Sequence, residues 1–150
     1  MPNHPAPEYN ALGLTDSVTA SLHQLKAVLT TLGHVFGGDY PHEDRPEDLQ
    51  LCLVIQCASR IAERAHLMAN ECASMRDSVA CELMEMSALL NLMDTTHSAL
   101  DMRIAFSDDI MDGYIDATIH CVDRALAMIA PANASSDLPS HPLAEAELNR

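Results

Sequence analysis

From Val18 onward the apolar positions step by three and four residues: Val18, Leu22, Leu25, Val28, Leu29 and Leu32 share one side of a helix. Thr15, Asp16 and Ser17 ahead of them are N-cap types, His34 suits the negative helix end, and Gly37-Gly38 stops the run. A first helix over 15–36 is predicted. After a loop, Asp44-Arg45-Pro46-Glu47 has the form of a capping box, with Asp44 as N-cap, a proline in the first turn and Glu47 at the third helical position.

The next 60 residues, from Glu47 to Phe106, contain no Gly or Pro. A 3-4 stripe runs through Leu51, Val54, Ala58, Ile61, Ala65, Met68, Cys72, Met75 and Val79, then through Leu83, Met86, Leu90, Met93, His97, Leu100 and Ile104. One straight helix of that length would reach about 90 Å, against about 40 Å for a compact domain of this size. The size argument favours a hairpin over an elongated coiled coil. Ser74, Asp77 and Ser78 mark the fold-back, because their side chains favour caps over helix interiors. Two helices over 46–74 and 78–106 follow.

A last helix is predicted over 107–130. Ser107 caps it, Asp108 and Asp109 suit its positive start, Pro131 ends it, and Met111, Ile115, Thr118, Ile119, Val122, Leu126 and Ile129 form its buried stripe. The Pro-rich stretches 1–14 and 131–150 read as an arm and a flexible tail, with a faint short helix at Leu143 to Leu148. No hairpin signal and no fixed-period repeat occurs. The expected fold is all-α: one domain over 15–130, an antiparallel bundle of about four helices.

Composition narrows the functional classes. The chain has 150 residues, 48% of them hydrophobic, which is enough for a core. Eight Lys and Arg against 22 Asp and Glu leave a formal charge of −14. That excludes a protein gripping nucleic-acid phosphates directly and disfavours an anionic membrane surface. No stretch is long and apolar enough to span a bilayer, and the polar, Pro-rich start is unlike a secretory leader. Five cysteines, four of them inside one helical run, suit reduced thiols in a cytoplasm better than a disulfide framework. Seven Arg to one Lys, with abundant Ala, hints at a GC-rich bacterial or phage-borne origin.

The sharpest chemical feature is a series of aspartates. Asp108, Asp109, Asp112, Asp116 and Asp123 fall within about 100° of arc on the last helix, beside its apolar stripe, with Asp101 just ahead. No Lys or Arg stands between Arg103 and Arg124 to neutralise them. The pairs Asp108-Asp112 and Asp112-Asp116 repel at i,i+4, each costing about 0.2–0.5 kcal/mol. A solvated acidic face is the common explanation for such a run. The functional one is a ridge, made of Asp101, Asp108, Asp109, Asp112, Asp116 and Asp123, that docks on a basic protein surface. A nucleic-acid-mimicking inhibitor from a phage or mobile element, directed at a host machine such as a CRISPR complex, would use the same electrostatics.

Other chemistry is weaker. Glu63-x-x-His66 and Asp94-x-x-His97 have the spacing of di-iron bundle ligands, but Glu63 and His66 fall off the core stripe and the further inward carboxylates are missing. His97 sits at a core position, with Asp94 or Asp101 one turn away as a partner. Met68, Cys72 and Met75 share a face that soft metals favour, although Met and Cys also serve as core filler where aromatics are scarce. A metal- or redox-responsive bundle is therefore a lesser alternative, and no metal or cofactor is expected. Gly-rich phosphate loops and nucleophile elbows are absent, which points to a non-enzyme. Finally, residues 49–58 are apolar almost all round, so Leu49, Leu53 and Ile55 are candidates for self-association in a homodimer.

Overall fold

Leu22, Leu25, Leu29 and Leu32 are shut off from solvent along one side of α1 (Glu8–Phe36), as their spacing requires. The computed structural model describes residues 8–38, 44–98 and 108–134. Beyond α1 it contains α2 (Asp48–Glu71), the single turn α3 (Ala73–Arg76), α4 (Val79–Ser98) and α5 (Asp108–Ala134). No strand occurs among the described residues. The protein is all-α.

The four long helices run alternately up and down. α1 packs on α2 and α5, and α4 packs on the same two, so α5 lies across the bundle from α2. One core fills the middle, built from Leu22, Leu25 and Leu29 of α1, Ile55 and four alanines of α2, Leu83, Met86, Leu90 and Met93 of α4, and Ile115 and Val122 of α5. The alanines, Ala58, Ala62, Ala65 and Ala69, are each at most 1% exposed. Small residues on α2 let the bulky Leu and Met side chains of its neighbours reach inward.

The fold-back of the long Gly- and Pro-free run falls where its cap-forming residues stand. Cys72 takes an extended conformation (φ −99°, ψ 114°) between α2 and α3, and its N–H donates to the Ala69 carbonyl. Arg76 Nε donates to the Asn70 carbonyl at 2.9 Å and Met75 is buried, which fixes the corner. The chain forms a hairpin, not one long rod.

Several boundaries differ from expectation. α1 starts at Glu8, so 8–14 of the expected arm are helical and Thr15, Asp16 and Ser17 lie inside the helix. Ser17 Oγ instead donates to the Gly13 carbonyl at 2.8 Å, a back-bond that satisfies a hydroxyl within a helix. The α2 cap stands three residues later than the sequence implies: Glu47 is the N-cap, and its N–H donates to Gln50 Oε1 at 3.1 Å. α5 continues through Pro131 to Ala134, since a proline removes only one N–H donor near a helix end flanked by strong helix formers. α2 buries Leu51, Ala58, Ala65 and Cys72 of the predicted stripe, but its other inward positions differ. Ile55, Ala62 and Ala69 face inward, while Val54 is 37% exposed and Ile61 and Met68 lie at the edge. Ile55, expected at a self-association seam, is thus core of its own bundle.

Candidate functional site

α5 carries its charges on the side that turns toward α1 and outward. Gly33 and Gly37 lie opposite: a Cβ on Gly33 would stand 3.6 Å from the Ile115 side chain and 3.9 Å from Asp112 Oδ1. At Gly37 a Cβ would be only 2.8 Å from the Gly33 carbonyl oxygen, which already accepts the Gly37 N–H. Gly38 follows with φ +83°, the left-handed turn that closes α1. Asp112 is half-buried beside Gly33 and Gly37.

The five described aspartates of the ridge divide into two kinds. Asp108 is held by a two-pronged ion pair, Arg45 Nη1 to Oδ2 at 2.8 Å and Arg45 Nη2 to Oδ1 at 3.0 Å. The same guanidinium lies 5.3 Å from the centroid of the Phe36 ring, so Arg45 joins the ends of α1, α2 and α5. Asp123 accepts from Lys26 Nζ at 2.6 Å across the α1–α5 seam. These two pairings correct the expectation of a ridge wholly without counter-charge. The cations come from elements remote in sequence.

Asp109, Asp112 and Asp116 form no ion pair or side-chain hydrogen bond among the described residues. Asp109 and Asp116 are exposed, and Gly113 between them adds no bulk. Three carboxylates therefore stand on one open line, anchored at each end by a neutralised neighbour. Asp101 lies outside the described residues.

The opposite flank of α5 meets α4. Arg124 donates to Glu82 Oε2 from Nε at 2.9 Å, and from Nη2 to Glu85 Oε2 at 3.0 Å and Cys121 Sγ at 3.2 Å. Glu82, Glu85 and Cys121 offer ligand atoms within 4.8 Å of one another, the one such group among the described residues. Arg124 already acts as the cation of this cluster. Burial, and then the charge of Glu85, push the Cys121 thiol above its ordinary value, so it stays protonated near neutral pH.

The remaining sequence candidates separate. Glu63 is exposed, whereas His66 is half-buried with Nε2 2.9 Å from Asn70 Nδ2 on its own helix. Asp94 accepts from Gln56 Nε2 at 3.4 Å, and the His97 side chain lies outside the described residues. Cys72 and Met75 are core, and all five cysteines are free thiols. Leu49 and Leu53 are 69% and 57% exposed on the outer face of α2.

Sequence reasoning marked the start of that outer face through Leu49 and Leu53 but not its continuation toward Leu67. Leu53, Cys57, Arg60, Arg64 and Leu67 follow a second 3-4 stripe, parallel to the alanine one, and all five are exposed. Arg60 and Arg64 make no ion pair among the described residues, unlike Lys26, Arg45 and Arg124. The repeated spacing was visible, but two arginines inside it disguised it as ordinary surface.

No described helix is long and apolar enough to cross a membrane. Comparison with family models, with curated proteins and with solved structures finds no match to this chain.

Proposed function

We propose that the protein is a non-enzymatic, acidic α-helical binding protein, of regulatory or inhibitory type, which docks Asp109, Asp112 and Asp116 of α5 on a basic surface of another protein. The observation that carries this reading is the contrast within one helix: Asp108 and Asp123 are neutralised by Arg45 and Lys26, while the three between them are not. Retaining Asp112 and Asp116 as an i,i+4 like-charge pair works against helix stability. A basic partner would relieve that repulsion and gain from it. A reducing cytoplasm suits the five free thiols.

The nucleic-acid-mimic form of this reading needs a long row of charges. From Asp109 to Asp116 the helix rises about 10 Å, which makes a patch and not a row. Docking on a basic protein surface is the form the geometry supports.

The test compares the wild-type chain with the triple variant D109N/D112N/D116N as bait in host lysate, at about 0.05 M and about 0.5 M salt, since screening weakens exposed charge contacts. The expected result is a partner captured by the wild type at low salt, lost at high salt, and lost by the triple variant at both. Capture that ignores both salt and the three substitutions sinks the reading.

A further inference from the structure

Where α4 meets α5, on the flank away from the ridge, one soft donor and two hard ones converge. Glu82 and Glu85 stand about one turn apart on α4 and Cys121 reaches them from α5, so that one sulfur and two carboxylate oxygens lie within 4.8 Å of one another. Around a tetrahedral zinc ion, with bonds of about 2.3 Å to sulfur and about 2.0 Å to oxygen, such atoms stand about 3.3–3.6 Å apart. Rotation of the two glutamate side chains closes that difference. A second observation separates the group from an ordinary acidic cluster. Cys121 is 2% exposed and its sulfur accepts from Arg124, but its S–H donates to no acceptor among the described residues. A buried polar hydrogen beside two carboxylates is thus left without a partner. The group is also short of positive charge, since one guanidinium faces two carboxylates.

We propose that Glu82, Glu85 and Cys121 bind zinc or a like borderline-soft divalent ion, which enters by displacing Arg124 and takes water as its fourth ligand. The exchange balances without a change of oxidation state. The Cys121 S–H bond breaks and its proton passes to solvent, the thiolate and one oxygen of each glutamate bind the ion, and the Arg124 side chain, 49% exposed, turns outward. One guanidinium charge and one thiol proton leave as two positive charges arrive, so the net charge of the group is the same before and after. Arg124 gives up little, because exposed ion pairs are weak, whereas thiolate coordination of a borderline-soft ion is strong. Magnesium and calcium, which take oxygen donors, do not suit the sulfur. The bound ion ties α4 to α5, and because the site exists only in the folded chain, binding stabilises the bundle.

Titration of the full chain with cobalt(II), a spectroscopic substitute for zinc, tests this in the presence of a phosphine reductant. The wild type is expected to bind one equivalent, showing a sulfur-to-cobalt charge-transfer band and the visible bands of a tetrahedral ion, both removed by added zinc. C121S is expected to lose the charge-transfer band. E82Q/E85Q, which leaves the core untouched, is expected to weaken binding by about a hundredfold, and it serves as the test should C121S not fold. R124Q removes the competing cation and is expected to tighten binding by about fivefold, the scale of an exposed ion pair. C52S/C57S/C81S and D109N/D112N/D116N should each bind cobalt as the wild type does. A wild-type chain without the charge-transfer band at about tenfold excess of cobalt overturns the proposal. So does a band that survives C121S, binding that ignores E82Q/E85Q or R124Q, or a band lost with Cys52, Cys57 and Cys81 or with the ridge aspartates. This site and the ridge share no residue, so the two tests stand or fall separately.

Discussion

Cys121 shows how a single side chain's surroundings fix its chemistry. It is 2% exposed, its sulfur meets the Arg124 guanidinium, and Glu85 and Glu82 lie close by. Burial and the two carboxylates oppose the thiolate, and Arg124 offsets them only in part. A thiol reagent near neutral pH is expected to label the exposed Cys57 and Cys81 first and the half-buried Cys52 next. Cys72 and Cys121 should react only as fast as the bundle opens. The sign of the pH effect follows. The folded-state value for Cys121 stands above the ordinary 9.0, so its contribution to stability is complete below that pH. It is lost as pH rises toward the folded value, because the unfolded chain releases the proton first. Urea midpoints at neutral and alkaline pH should therefore fall further in the wild type than in C121A, and equal falls would show that Cys121 does not contribute.

On α2, size decides which line faces inward. The helix carries two apolar lines, and the sequence ranks Val54, Ile61 and Met68 above Ala62 and Ala69 for burial. The bundle chooses the alanines, because Leu25 and Leu29 of α1 and Leu83, Met86 and Leu90 of α4 already fill the centre. The stripes of α1 and α5, and the corner at Ser74 to Ser78, were legible because each follows from local periodicity or from capping residues. On α2 periodicity placed Leu51, Ala58, Ala65 and Cys72 inward, but not Ile55, Ala62 and Ala69, whose burial depends on what the neighbouring helices bring to the same space. The ion pairs were equally hidden: Lys26 and Asp123 lie 97 residues apart, and Arg45 and Asp108 63 apart. Of the ridge, periodicity alone gave the alignment of the carboxylates but not which of them are neutralised. Replacing Ala62, 0% exposed, by Leu tests the tight packing. Overfilling should lower stability by about 1–3 kcal/mol in urea unfolding. A neutral or stabilising Ala62→Leu would mean that α2 has spare room against its neighbours.

Across the entire chain the net charge of −14 opposes compaction, and only three ion-paired cations among the described residues relieve it locally. Salt should then act with opposite signs on folding and on binding. Raising it from about 0.05 M to about 0.5 M shortens the screening length from about 14 Å to about 4 Å. Weaker self-repulsion is expected to raise Tm by a few degrees, while the same change releases a basic partner from the ridge. Substitution separates the two effects further. D109N/D112N/D116N removes three negative charges and an i,i+4 repulsion, so it should raise Tm at low salt and narrow the salt dependence of Tm. If the aspartates were only a solvated face, that gain would come with no loss of partner capture. A ridge kept for docking predicts both together, a more stable protein that binds less well, which is the trade expected where function retains groups that folding alone would not select. Calorimetry and capture on the same variant decide between them.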